Sequence, residues 1–337
     1  MTAGEAQDIL IMTPVYNDWA SLECLLGHLD AVLAEAGLSA RVLAVDDGSP
    51  SPPGPDFCAG PRFRALRRVD VLKLRRNLSH QRAIAIGLAH VEDTDPCDVV
   101  VVMDSDGEDD PRDVPRLLAR CHAEGWRSIV FAERSKRSES LGFRAGYFAY
   151  KLVHRLLTGQ RVRVGNYSVV PRERLTSLVV VSELWNHYAA AVFKSRQPFC
   201  TIPTRRAVRY HGRSSMNYVS LVAHGLSAIS VFSDLVGVRL LVLTLPMIGL
   251  IFLGIVATIG LRVMTSLAIP GWATTVLGVL AILLAQGVML ALTFSFMVLS
   301  GRSGSNFLPR RDYHFYVHRT APLCEESWST TTTSAQS

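Results

Sequence analysis

Hydrophobic residues along this chain fall into two regimes. Through the first two thirds, short apolar runs alternate with stretches whose apolar positions recur every three or four residues. The runs are Ile9 to Met12, Val42 to Val45, Val69 to Leu72, Val99 to Met103, Ser128 to Phe131 and Val164 to Pro171. The helically spaced sets are Leu22, Leu25, Leu26, Leu29 and Leu33; Ile84, Leu88 and Val91, with Ser79 as the expected cap; and Val114, Leu117, Leu118 and Cys121. Short runs bounded by Gly, Pro and acid predict strands, continuous ones being covered on both faces, and the three-and-four spacing predicts helices with one buried stripe. Strand and helix in alternation predict an α/β domain with a doubly wound, mainly parallel sheet whose loops gather at one edge. No GxGxxG follows the first strand, so a dinucleotide-binding domain loses its main support.

The last third obeys a different rule. Leu240 to Leu261 and Trp272 to Ser300 contain no charged residue, and each run is long enough to cross a hydrocarbon core of about 30 Å. Before them, Tyr218, Val222, Leu226, Ile229 and Phe232 fall on one helical face, which predicts an interfacial helix. Further helices are expected over Gly142 to Thr158, where Arg144, Lys151 and Arg155 share a face, and over Glu183 to Lys194. A short strand is expected over Asp312 to His318, and a disordered end from Ser327. The pattern divides the chain into a domain over 1–216, an interfacial helix over 217–234, a two-helix hairpin over 235–301 and a tail over 302–337.

Charge adds orientation. Arg205, Arg206, Arg209, Arg213 and Arg239 precede the first apolar run and Arg302, Arg310 and Arg311 follow the second, while the loop between them offers Arg262. With a polar start to the chain and no export signal, this predicts an integral membrane protein with its main domain and both termini cytoplasmic. A net charge of +6 fits an anionic membrane surface and a phosphorylated substrate as well as it fits nucleic acid, and no basic module interleaved with aromatics is present. No nucleic-acid partner is therefore expected. The six cysteines are scattered without CxxC spacing, so free thiols are expected in a reducing compartment.

The chemistry concentrates where the Val99 run ends. Asp104, Asp106, Glu108, Asp109 and Asp110 place five carboxylates within seven residues. Such a cluster is either a cation site or a solvated acidic turn in which Asp109 or Asp110 caps the next helix. In an open parallel sheet, ligands bind at the carboxyl ends of strands. If extended geometry persists, Asp104, Asp106 and Glu108 alternate to one side, leaving Asp109 and Asp110 for the helix start or for catalysis. The segment Ile202 to Met216, rich in Arg and hydroxyls without acid, suits a phosphate or diphosphate.

Five motifs in order carry a resemblance: Thr13-Pro14-Val15-Tyr16-Asn17-Asp18, Val45-Asp46-Asp47-Gly48-Ser49, Asn77-Leu78-Ser79-His80-Gln81-Arg82-Ala83, Met103-Asp104-Ser105-Asp106-Gly107-Glu108-Asp109 and Arg209-Tyr210-His211-Gly212-Arg213-Ser214. Together they resemble family 2 glycosyltransferases of the GT-A fold, in particular the polyprenyl-phosphate and dolichyl-phosphate sugar synthases. The resemblance implies a nucleotide-sugar donor held by Pro14, Tyr16, Asp18, Asp46, Asp47, Gln81, Ser105, Arg209 and Ser214. It implies Mg2+ or Mn2+ on Asp104, Asp106 and Glu108, with these three and Asp109 as the catalytic acids. Arg134 and Arg144 are the implied holders of an acceptor phosphate on a polyprenyl lipid, with inversion at the anomeric carbon. Three positions depart from the pattern: Glu108 where Gln is usual, Asn166 where many relatives carry Asp, and Ser215 in place of a frequent Lys. Two other readings stand beside it. One is transfer to a hydroxyl of a lipid or nascent cell-envelope glycan, with Asp109 or Glu183 as base; the other is a non-catalytic nucleotide-sugar-binding membrane adaptor. Assembly as a homo-oligomer is a further expectation.

Overall fold

A computed structural model describes residues 7–54, 57, 63–134, 155–159, 164–211, 218–264, 271–303 and 307–323. Two compact units divide the chain: one of Met1–Glu139, Val162–Val231 and Asn306–Ser337, the other of Ser140–Arg161 and Phe232–Ser305.

The first unit is built on one eight-stranded sheet. Its strands are β1 Ile9–Val15, β2 Ala40–Asp46, β3 Leu66–Leu74, β4 Val99–Val102, β5 Ile129–Arg134, β6 Val164–Pro171, β7 Phe199–Thr204 and β8 Val317–Pro322, in the spatial order β7-β5-β6-β4-β1-β2-β3-β8. Strands β4, β1, β2 and β3 are parallel neighbours, as the alternation predicted. The sheet as a whole is mixed, because β6 runs antiparallel between β4 and β5 and β8 runs antiparallel along β3. Every residue of β1 and of the Val99-Val100-Val101-Val102 strand is buried, which is what a strand covered on both faces requires.

Period-two alternation divides these residues between two cores. Leu10, Met12, Leu43, Val45, Val100 and Val102 face α2 (His80–Thr94), meeting Ile84 and Leu88. Ile9, Ile11, Val42, Ala44, Val99 and Val101 face α1 (Trp19–Glu35) and α3 (Val114–Ala123), whose Leu22, Leu25, Leu26, Leu29, Leu33 and Leu117 are fully covered. All three helical stripes read from the sequence are thus the buried stripes.

Local expectations fare unevenly. Ser79 precedes α2, but its φ of +77° and ψ of 152° place it in a region almost reserved for glycine, and its side chain caps nothing. Asp110 does cap: its carboxylate accepts from Arg112 N at the turn Pro111–Asp113. The single helix expected over Glu183 to Lys194 is two pieces, a 3-10 turn Ser182–Trp185 and α5 (Tyr188–Lys194), after α4 (Arg172–Leu178). They separate because His187 is extended, with its ring Nδ1 accepting from Ala190 N to start the second piece. The strand expected over Asp312 to His318 begins only at Val317; Pro309–Asp312 and Tyr313–Phe315 are single helical turns. Pairing with the free edge of β3, a tertiary event, decides that register. Strand β7, which runs into the start of the segment read for its charge, forms the opposite edge, where Pro203 is tolerated. Helix α6 (Tyr218–Ser230) follows.

In the second unit, α7 (Ser233–Met264) and α8 (Trp272–Ser303) pack together, and both are long and apolar enough to cross a membrane. At 1.5 Å per residue, 32 residues extend about 48 Å, longer than a hydrocarbon core. Leu243, Leu250, Phe296 and Met289 are among many large apolar side chains left exposed along them. Arg239 donates to the carbonyls of Leu156 and Leu157 at 2.9 Å, satisfying the end of the short helix over 155–158. The expected basic face of Arg144 and Lys151 lies outside the described residues.

Candidate active site

Three parallel strands deliver their carboxyl ends to one edge of the sheet. β1 ends at Val15 and leads into Tyr16, Asn17 and Asp18; β2 ends in Asp46 and Asp47; β4 ends at Val102 and leads into the acids. The sheet stops there because the polar residues that follow could not share its buried faces.

At the end of β2 the carboxylates serve the backbone. Asp46 Oδ1 accepts from Ser49 N at 2.8 Å, and Asp47 Oδ1 accepts from Leu78 N at 2.7 Å. Gly48, at φ +72°, lets this loop press on the next one: a Cβ there would lie 2.5 Å from the carbonyl carbon of Arg76. Burial pushes the Asp47 carboxyl up to about 6, against the pull of the Leu78 and Ser79 N–H groups.

At the end of β4 three of the carboxylates meet nitrogen-bearing side chains. Strand geometry does not persist: β4 stops at Val102, Gly107 takes φ +87°, and Asp106 Oδ1 accepts from Glu108 N at 2.9 Å in a tight turn. The expected alternation of Asp104, Asp106 and Glu108 to one side therefore gives way to three separate directions. Asp104 Oδ1 lies 3.1 Å from His80 Nε2, Asp106 Oδ2 lies 3.3 Å from Arg209 Nη1, and Glu108 pairs with Arg206. Arg209 also reaches Asp18 at 3.5 Å, so it spans from the β1 loop to the acid loop. Asp109 turns inward, its Oδ2 accepting from Asp104 N at 3.0 Å. Ser105 Oγ donates to Pro14 O at 3.0 Å, tying the acid loop to β1.

Behind Asp104 runs an ordered amide relay. Tyr188 N donates to Gln81 Oε1 at 2.8 Å, which fixes that amide so that Gln81 Nε2 donates to Asn166 Oδ1 at 3.0 Å. Asn166 Nδ2 then faces His80 Nε2 at 2.9 Å. Burial lowers the His80 pKa, but the charges of Asp104, Asp109 and Asp106 outweigh it and the net shift is upward.

The residues singled out from sequence are thus sorted by the fold. Pro14, Tyr16, Asp18, Asp46, Asp47, Ser105, Asp104, Asp106, Glu108, Asp109 and Arg209 come to one edge, and half-exposed Tyr16 (50%) offers an aromatic face beside it. Gln81 and Ser105 spend their polar atoms on the protein itself. Arg134 ends β5 opposite Thr204; its side chain, together with Arg144 and Ser214, lies outside the described residues. Sequence reasoning passed over His80 and Arg206. His80 stands inside a quoted motif, and Arg206 inside the quoted basic segment, but only the fold reveals that each meets an acid.

Among the described residues no three His, Cys, Asp or Glu side chains converge as a cation-holding set. The donor chemistry still suits a hard divalent cation at two positions. Asp104 and Asp106 offer carboxylate oxygens at the open end of a strand, and Mg2+ or Mn2+ is commonly held by one or two carboxylates plus substrate phosphates.

Residues 10–173, which span β1 to β6 and include the acid loop, match Glycosyl transferase family 2. Among curated relatives, an undecaprenyl-phosphate 4-deoxy-4-formamido-L-arabinose transferase of Erwinia tasmaniensis is 29% identical over 232 residues, covering 66% of this chain and 67% of the relative. The protein of the same description from Klebsiella pneumoniae is 27% identical over 239 residues, covering 66% of each chain. This chain therefore spans about two thirds of the length of those relatives. Among solved structures, glucosyl-3-phosphoglycerate synthase of Mycobacterium tuberculosis, crystallised with Mn2+ and uridine-diphosphate-glucose, aligns with a TM-score of 0.49 at 15% identity, covering 68% of this chain and 80% of that one.

Proposed function

We propose that this protein transfers a sugar from a nucleotide-sugar donor to the phosphate of a membrane-embedded polyprenyl lipid, with inversion at the anomeric carbon. The observation that carries the donor half is the bridge of Arg209 between Asp106 and Asp18: one guanidinium already spans the acid loop and the β1 loop at the open edge. A diphosphate between those loops meets the same arginine in bidentate fashion. Tyr16 supplies a face for the base, and Asp46 and Asp47 hold the loop that borders the ribose. His80 fixes Asp104, and Arg209 orients the diphosphate. A Mg2+ or Mn2+ ion on Asp104 and Asp106, when bound, neutralises charge on the departing nucleoside diphosphate.

The acceptor half is supported by the two apolar helices and by the description of the curated relatives. A phosphate oxygen is ionised near pH 7 and needs little base catalysis. Both acids considered as a base for a hydroxyl acceptor are already engaged, Asp109 with Asp104 N and Glu183 with Lys194 at 2.9 Å, which favours the phosphate. Arg134 and Arg144 are the proposed contacts to it. The arginines flanking the apolar helices support a topology with the catalytic domain and both termini cytoplasmic.

The test is direct. Membranes containing the protein, supplied with a panel of nucleotide sugars, polyprenyl phosphate and Mg2+ or Mn2+, are expected to form a glycolipid whose sugar is released by mild acid. An acid-stable product would overturn the phosphate acceptor, and binding of the nucleotide sugar without turnover would favour the adaptor.

A further inference from the structure

We infer that Glu108 is a positioning residue that holds Arg209 over the acid loop, and is not a ligand of the cation. The inference rests on the donor-site reading above and deepens it.

Residues 206–210 are zipped onto residues 106–108 by main chain and side chain alike. Ala207 N donates to Glu108 O at 3.0 Å and Tyr210 N donates to Asp106 O at 2.9 Å. Between these rungs the Tyr210 ring lies flat against Gly107, where a Cβ would be 2.6 Å from ring carbon Cδ2. Glycine at 107 therefore permits both the positive φ and the approach of the ring. The Glu108 carboxylate closes the other end of the zipper on the Arg206 guanidinium, in a pair whose side chains are 15% and 27% exposed. Arg209 lies between the two fastenings, and its guanidinium reaches Asp106 and Asp18.

Chemistry weighs against a second duty for Glu108. Turning its carboxylate toward a cation would strip a largely covered Arg206 of its countercharge, and breaking a partly buried pair by removing one partner costs far more than an exposed pair contributes. The cation would not require it, since one or two carboxylates, here Asp104 and Asp106, with substrate phosphates and water suffice for Mg2+. A charged Glu, where the resemblance leads one to expect a neutral Gln, is accounted for by Arg206: an ion pair grips the segment more firmly than an amide would.

The experiment uses the full chain in detergent and two measurements independent of turnover. Limited trypsin digestion reads cleavage after Arg209 by mass spectrometry, and electron paramagnetic resonance reads free Mn2+ during titration with Mn2+ alone. In Glu108→Ala, cleavage after Arg209 is expected to rise about tenfold, because proteolysis follows the population of the locally open segment. The double exchange Glu108→Arg with Arg206→Glu is expected to restore protection, which excludes a general folding defect. Glu108→Gln is expected to bind Mn2+ within about twofold of the unchanged protein, while Asp106→Asn weakens it about tenfold or more. Unchanged cleavage in Glu108→Ala, or a loss of Mn2+ in Glu108→Gln as large as in Asp106→Asn, would overturn the inference. If the unchanged protein binds no Mn2+ alone, the titration is repeated with a nucleoside diphosphate present; failure there too overturns the cation part of the proposed function, while the digestion still decides the role of Glu108.

Discussion

Two strand ends of this sheet carry the same local pattern, an apolar run that stops in paired acids, and put it to opposite uses. At the end of β2, Asp46 and Asp47 are buried and accept hydrogen bonds from main-chain N–H groups of Ser49 and Leu78. At the end of β4, Asp104 and Asp106 remain partly open and face His80 and Arg209. A backbone donor cannot leave, so the first pair is fixed and shapes the loops. A side chain can move to a phosphate, so the second pair can exchange partners when substrate arrives. Scaffold and chemistry are separated by the identity of the donors, not by the identity of the acids.

The largest expected effect breaks that comparison on the β4 side. Asp106→Asn removes a charge where diphosphate charge develops, and turnover is expected to fall by about 10²- to 10³-fold, while the thermal midpoint holds steady because no main-chain anchor to a neighbouring strand is lost. A comparable fall in the midpoint would place Asp106 with the scaffold acids. Steady-state rates alongside thermal unfolding of the same preparation separate the two.

An intermediate effect sharpens the β2 side. The Asp47 carboxyl is raised in the folded chain to about 6, chiefly by burial. The unfolded chain therefore releases this proton more readily, so the stability the group contributes is full below about pH 4 and is lost as pH rises through about 6. Asn at this position keeps an acceptor for Leu78 N without the charge. Relative to the unchanged protein, Asp47→Asn is expected to gain on the order of 2 kcal/mol between pH 4 and pH 7. Parallel stability profiles across that range would show that burial does not control this carboxyl.

The smallest effect concerns the loop that both regions share. Ser79, held at φ +77°, joins the Leu78 donor of Asp47 to the His80 partner of Asp104. Relief of backbone strain by Ser79→Gly, less the entropy glycine adds to the unfolded chain, is expected to stabilise by about 1 kcal/mol. The thermal midpoint should rise by about 2–4 °C. A drop would mean that the Ser79 hydroxyl contributes something the contacts around it do not explain.

How much of this was legible beforehand depends on the range of the interaction. The strands β1, β2 and β4, the three helical stripes and the apolar pair α7 and α8 follow from periodicity, since each is set by burial of neighbouring positions along one segment. The antiparallel β6 and β8 were not legible as such, because an antiparallel partner is chosen by a free edge elsewhere in the chain. His187, which divides the helix expected over Glu183 to Lys194, gave no warning beyond its capacity to cap. In the site, the acids themselves were plain. Their partners were not: Arg206 and Arg209 stand about a hundred residues away in sequence, and His80 about twenty-five.

The sequence by itself determined the class of fold, the apolar hairpin and the stretch that bears the acids, since hydrophobic period and residue type are local properties. Only the tertiary structure decided which acid does what. The turn at Gly107 sends Asp104, Asp106 and Glu108 toward three different side chains, and the segment from Arg206 to Tyr210 closes on two of them from the far side of the sheet order. The physical reason is that a carboxylate's role is set by the donor it meets, and that donor is supplied by packing across the fold.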